Sequence, residues 1–295
     1  MLSILVPTYN YNIFPLVQEI HKQCSKENII FEILCQDDFS NSNLNIKNEA
    51  INKLTNASFT ISNKRLGRGQ NLNTLAFAAR YKYLLILEAD SFPFNNNYIK
   101  IFLENLDDSV DVLFGGVKYP LHPKSNDQIL RWKYGNEREI KSISHRLKKP
   151  YDFTFSWNLI IKREIFKTIS FHKQIKNYGY EDLIFIKNLE KQHIFIHHID
   201  NPLTHLNEEN SLLFLEKSKK ASINAYYATQ NSFVNKKDIH LTKVFYIIKK
   251  YKLNFFLALF FDFLEPTMKQ NLVSKRPFLF LLDLYKLGYL CKKIN

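Results

Sequence analysis

Three short apolar runs, each broken off by a polar cluster, constrain this chain more than any other feature. Residues 2–6 (LSILV) run into Pro7-Thr8-Tyr9-Asn10, residues 29–35 (IIFEILC) into Asp37-Asp38, and residues 83–87 (YLLIL) into Glu88-Ala89-Asp90. Apolar runs this short, bounded by turn formers, read as buried strands. Between them the apolar spacing is helical: Ile13, Leu16, Val17 and Ile20 mark a helix over 13–24, and further helices are expected at 45–54 and 71–80. Strands alternating with helices predict βαβ units and an α/β fold with a mostly parallel central sheet. In such open sheets ligands bind beyond the carboxyl ends of the strands, so three polar tips on one edge mark a candidate site.

The second half is less regular. Strands are expected near 110–116, 155–161 and 194–199, and helices over 182–192 and 208–230, with a basic, partly helical stretch at 127–149. The 295 residues leave room for one large α/β domain or two modest ones, and 45% hydrophobic with 23% charged residues is a globular composition. Only 3 cysteines are present and none form a CxxC pair, which excludes a zinc ribbon or a disulfide framework. The net charge of +13 calls for an anionic partner. RRM, KH, helix-turn-helix and zinc-finger patterns are missing from the sequence, and nucleic acid is not the expected partner.

Individually, the chemistry-bearing residues stay ambiguous. The carboxylates of Glu88 and Asp90 can face a divalent cation or a ribose, or simply cap the next helix. Glu181-Asp182 can cap an apolar helix, or supply a general base and an acceptor contact. His205 can be structural or a metal ligand. Lys64, Arg65 and Arg68 around Gly67 and Gly69 suit a phosphate at a helix start, although the stretch is neither a Walker A loop nor GxGxxG. Arg131-Trp132 and Tyr134 can form an acceptor platform or pack into a core.

Their order is more telling than any one of them. VPTYN (6–10), QDDFS (36–40), LGR (66–68) with Asn73, Glu88-Ala89-Asp90, GYEDLIF (179–185) and His205 together resemble the inverting GT-A glycosyltransferases of family 2 over about residues 1–220. GYEDLIF looks like an ED motif also found in galactosyltransferase-type segments, and RWKYG (131–135) and NPLTHLN (201–207) resemble a bacterial subgroup. The resemblance implies a Rossmann-like GT-A domain over 1–233, with a nucleotide-sugar half at about 1–115 and an acceptor half at about 116–233. It implies that Pro7, Thr8, Tyr9, Asp37, Asp38, Arg68, Asn73, Glu88, Ala89 and Asp90 bind a nucleotide-sugar, by default UDP-linked. Asp90 and His205, and less directly Glu88, would hold Mn²⁺ or Mg²⁺. Asp182 would be the base, and Glu181 would touch acceptor or sugar. Arg131, Trp132, Tyr134 and Tyr180 are acceptor candidates. Two residues depart from the pattern: Glu88 replaces the first Asp of DxD, and Phe39 stands where a Gly is usual. The alternative that Glu88 prompts is a catalytically degenerate GT-A domain serving as a binding partner in glycan assembly.

Beyond about Val234 the composition changes, which sets off a basic, apolar helical region at 234–295; from Lys236 onward, 12 Lys and Arg face 4 Asp and Glu, an excess of 8. Two intensely apolar stretches, 253–264 and 278–290, lie among these cations. Neither reaches the roughly 18 residues of a membrane span. Basic flanks suit helices lying on an anionic membrane surface, and a helical subdomain is the alternative. The opening residues read as a strand rather than a secretory leader. Together these expectations describe a cytoplasmic enzyme, peripheral at the inner face of the membrane. Its acceptor would be a glycan or a lipid-linked sugar of surface polysaccharide or lipopolysaccharide synthesis.

Overall fold

The computed structural model describes residues 1–173, 179–206 and 208–294. Among these residues the strands are β1 (Leu2–Thr8), β2 (Phe31–Asp37), β3 (Ala57–Ile61), β4 (Tyr83–Ile86), β5 (Ser91–Pro93), β6 (Val112–Phe114), β7 (Val117–Lys118), β8 (Leu159–Lys162), β9 (Ile196–His198) and β10 (Leu203–His205). Among the described residues, α-helices accompany them. They are α1 (Phe14–Lys26), α2 (Leu44–Asn48), α3 (Arg68–Ala78), α4 (Tyr98–Glu104), α5 (Ile129–Tyr134), α6 (Ile143–Lys148), α7 (Arg163–Thr168), α8 (Glu181–Lys191), α9 (Ser211–Gln230), α10 (His240–Lys250), α11 (Asn254–Leu272) and α12 (Leu279–Ile294).

The strands expected from the apolar runs form a seven-stranded sheet in the order β3-β2-β1-β4-β8-β6-β9. Only β8 runs against its neighbours β4 and β6. Every residue of β1 is buried, as expected of a central strand covered on both faces. Pairing runs from Leu2↔Phe31 to Thr8↔Asp37 and from Leu2↔Tyr83 to Leu5↔Ile86. That register brings the polar ends of β1, β2 and β4 to one edge. A second sheet, β5-β10-β7, has two- and three-residue strands too short to leave a periodic signal in sequence.

The chain divides into two compact units. The first comprises Met1–Pro120, Glu139–Lys176 and Glu181–Leu206 and holds both sheets. The second comprises Leu121–Arg138, Asn177–Tyr180 and Asn207–Asn295. Its core joins Leu130 of α5 and Phe214 and Leu215 of α9 to Phe261, Met268 and Leu272 of α11 and Leu282 and Tyr285 of α12. The compositional change after residue 233 falls inside this unit, because α9 and the later helices share that core. Composition follows the outward side chains; packing follows the inward ones. The three cysteines are buried and unpaired, and burial raises the Cys291 thiol to about 11.

Candidate active site

The site lies in the first unit and is built around Arg68. Gly67, just before α3, adopts φ 82° and ψ 154°, a conformation that glycine takes without the penalty of a Cβ. Asp38 fixes this turn: its Oδ1 accepts from the Leu66 amide at 2.6 Å and its Oδ2 from the Gly67 amide at 2.9 Å. Asp37 braces its own turn, accepting from the Ser40 amide and hydroxyl, both at 2.7 Å. Phe39, between them, sits at φ 57°, so the turn keeps the left-handed conformation that a glycine would take without strain.

Thus delivered, Arg68 joins two carboxylates. Its Nη2 donates to Glu88 Oε2 at 2.7 Å and its Nε to the same oxygen at 3.0 Å. Its Nη1 donates to Asp182 Oδ1 at 3.0 Å and to Ser156 Oγ at 3.1 Å. The Ser156 hydroxyl also donates to Asp182. Burial opposes the guanidinium charge, but Asp182 and Glu88 outweigh it and hold Arg68 above its ordinary pKa. Burial is also the leading influence on Glu88, raising its carboxyl despite Arg68. Ser156 carries no motif of its own; its place follows only from the chain entering β8 beside α8.

A second pair lies two residues beyond Glu88. The Glu88 carbonyl accepts from Ser91 and closes a turn, after which β5 pairs antiparallel with β10 and sets His205 opposite Ser91. His205 Nε2 thereby stands 3.6 Å from Asp90 Oδ2. Its Nδ1 is buried without a hydrogen-bond partner. Tyr119 stacks on the ring at 5.3 Å and Trp157 tilts against it at 5.8 Å, fixing its orientation. Beneath, Asn158 accepts from the Tyr98 hydroxyl at 2.7 Å and donates to the carbonyls of Gly116 and Asn201. Gly115 is confined there, because a Cβ would lie 2.3 Å from the Asn201 carbonyl.

One carboxylate and one imidazole, paired with each other at 3.6 Å, suit a hard divalent cation that takes its remaining ligands from phosphate. Among the described residues no group of three or more His, Cys, Asp or Glu could hold a metal by itself. Glu88, the weaker metal candidate, is turned instead toward Arg68.

A family model described as glycosyl transferase family 2 matches residues 3–170, more than half of the sequence. The chain belongs to glycosyl transferase family 2. It is 26% identical over 256 residues to an uncharacterized glycosyltransferase of Methanocaldococcus jannaschii, covering 83% of this chain and 85% of that one. The fold is similar to S. aureus TarS 1-349 in complex with UDP-GlcNAc, with TM-score 0.51, 18% identity, and 76% of this chain on 66% of that one. It is also similar to a Pyrobaculum calidifontis mannosyltransferase in complex with GDP-Man and Mn²⁺, with TM-score 0.53, 14% identity, and 78% of this chain on 64% of that one. The chain spans about two thirds of those two structures and 39% of the longer TarS chain. The α/β GT-A fold and the helical C-terminal region are as expected from sequence.

Within this family 2 fold the remaining expected site residues fall as follows. Pro7 and Thr8 end β1, and Tyr9 beyond them is exposed with the Arg65 guanidinium over its ring at 3.9 Å. Asn73 is buried, clipping Phe171 by accepting from its amide at 3.0 Å and donating to its carbonyl at 2.9 Å. Asn73, Asp37 and Asp38 therefore shape the loops around Arg68 through their own hydrogen bonds. Ala89 lies in the turn between Glu88 and Asp90. Glu181 and Asp182 form the first turn of α8, where the helix dipole favours carboxylates. Arg131, Trp132, Tyr134 and Tyr180 belong to the second unit. There Tyr134 packs on Phe214 at 5.4 Å, and Tyr180 has its phenol raised by burial, with Tyr134 and Asp283 adding to the effect.

Proposed function

We propose that this family 2 chain is an inverting glycosyltransferase that moves a sugar from a nucleoside-diphosphate sugar, UDP-linked in first preference, to a hydroxyl of a glycan or lipid-linked acceptor. The observation that carries the reading is the bridge formed by Arg68. It draws the strand-end acid Glu88 and the helix-start acid Asp182 to one guanidinium, two residues from the Asp90–His205 pair.

Asp182 takes the proton from the acceptor hydroxyl, whose oxygen attacks the anomeric carbon while the bond to the diphosphate breaks on the opposite side. Arg68 and the amides opening α3 suit the diphosphate, on which negative charge grows as it leaves. Asp90 and His205 would hold Mn²⁺ or Mg²⁺, which when bound offsets that same charge. The Tyr9 ring, shared with Arg65, suits stacking of the base. Arg68 and Ser156 both donate to the Asp182 oxygen that would accept the proton, which holds that carboxylate in place. Synthesis of surface polysaccharide or lipopolysaccharide at the inner face of the cytoplasmic membrane suits such an acceptor.

The test is a melting panel of UDP, GDP, CDP and TDP, each with and without Mn²⁺. A nucleotide at 100 times its Kd stabilises the native state by about 2.7 kcal/mol. We expect a metal-dependent shift with one nucleotide. No shift with any of them, in folded protein, would overturn the donor reading and leave the degenerate binding partner in its place.

A further inference from the structure

Helix α11 presents apolar side chains on two opposite faces. One face packs inward through Phe261, Met268 and Leu272. On the other, Phe256, Leu259, Phe260 and Phe263 stand at i, i+3, i+4 and i+7 and are all exposed, Phe263 by 81%. That spacing is one stripe of a helix, and among the described residues of the second unit nothing covers it. Phe278 follows closely, its amide donating to Asn271 Oδ1 near the end of α11, and it is exposed as well. A patch of large rings on this scale marks an interaction surface.

The charges around the stripe identify what it meets. Lys249, Lys250 and Lys252 precede α11 and Lys275 and Arg276 follow it, all exposed. Both carboxylates of α11 are already engaged, Asp262 with Lys292 and Glu265 accepting from the Tyr285 hydroxyl at 3.2 Å. The rim of the stripe is thus cationic at both ends. A second copy would set like charges against each other whichever way the helices ran. An anionic bilayer satisfies both parts: acyl chains take the rings and phosphate headgroups take the lysines. No helix among the described residues is long and apolar enough to cross a membrane.

We infer that the Phe256–Phe263 stripe of α11 docks the second unit flat on an anionic membrane surface, with Lys249, Lys250, Lys252, Lys275 and Arg276 at the headgroups. The docking stands on this surface alone; that it serves a lipid-linked acceptor rests on the function proposed above.

The experiment is co-sedimentation of the full chain with vesicles of phosphatidylcholine, alone or with about one third phosphatidylglycerol. Wild type is expected to pellet with the anionic vesicles and not with the neutral ones. Replacing both Phe260→Ser and Phe263→Ser should weaken binding at least about tenfold. Lys249→Gln with Lys250→Gln and Lys252→Gln should weaken it comparably and remove most of its salt sensitivity. These positions are exposed, so unchanged circular dichroism and an unchanged nucleotide-dependent melting shift would show that the fold and the donor site are intact. Equal pelleting of wild type and the double Phe variant would overturn the inference. So would a dimer, seen by sedimentation velocity, that the double Phe variant abolishes. If the melting panel fails while vesicle binding persists, the donor reading falls and the docking surface stands.

Discussion

In the first unit, polar side chains are drawn inward and answered by one another; in the second, apolar side chains are left outward and unanswered. Arg68, Glu88, Asp182 and Ser156 form a closed set of ionic hydrogen bonds, and Asp37 and Asp38 are engaged by the loops they shape. On α11 Phe256, Leu259, Phe260 and Phe263 face away from the core that the same helix builds. Both arrangements cost stability relative to an apolar interior and a polar surface. Buried charges need desolvation and exposed rings order water. The comparison teaches that each unit departs from the stability optimum at the place where it would meet a ligand: a charged one in the first, an amphipathic one in the second.

The largest effect is expected where the first unit's charges meet. Asp182→Asn keeps the shape that accepts from Arg68 and Ser156 but removes the base. Turnover of a sugar nucleotide should fall by about 10²–10⁴-fold, the usual contribution of a positioned proton acceptor. The nucleotide-dependent melting shift should persist, because Arg68 still pairs with Glu88. Retained turnover would remove Asp182 from the chemistry and make its contact with Arg68 purely structural.

Next comes the packed side of α11. Phe261 is 3% exposed, and its ring meets Tyr285 at 5.4 Å and lies where a Cβ on Gly288 would clash, 2.5 Å away. Phe261→Ala should cost about 3–5 kcal/mol in chemical unfolding, as for other buried phenylalanines. A loss under about 1 kcal/mol would mean that this core is loosely packed and that the two faces of α11 are alike.

How far the sequence shows all this follows from the range of the interactions involved. The strand tips at Thr8, Asp37 and Glu88 are legible because a buried parallel strand is a local apolar run and its turn is a local polar cluster. The convergence of Arg68 with Asp182 is not, since it joins residues 114 apart through tertiary packing. Ser156 has no local mark at all. His205 meets Asp90 only because β10 pairs with β5, and three-residue strands carry no period to read. There the family resemblance, rather than any residue pattern, pointed to the pair. The stripe on α11 was legible as apolar, but a run such as NFFLALFFDFL cannot reveal which of its two faces is covered.

A smaller effect is expected from pH. His198 is buried in the first unit, accepting through Nδ1 from Arg146 at 3.2 Å and donating through Nε2 to the Pro150 carbonyl at 3.1 Å. Burial, reinforced by Arg146, lowers its pKa from 6.5 to about 4. The unfolded chain therefore takes up this proton first as pH falls. Stability from the neutral ring is full above about pH 6.5 and is lost between there and about pH 4, up to about 3 kcal/mol in all. His198→Gln should flatten the stability profile across that window in urea titrations. An unchanged slope would assign the acid sensitivity to other groups.

The smallest effect, and the one that most sharpens the contrast between inward and outward groups, is expected at Phe263. It lies two residues from Phe261 on the same helix, yet it is 81% exposed against 3%. In solution Phe263→Ser removes a ring that touches little within its unit, so unfolding free energy should change by less than about 0.5 kcal/mol. The same substitution should weaken vesicle binding, because only there does the ring leave water. A ring that contributes to binding and nothing to folding belongs to an interface. If Phe263→Ser destabilised the isolated protein as Phe261→Ala does, the ring would be covered in solution by some part of the chain or by a second copy. The outward face of α11 would then be a core after all.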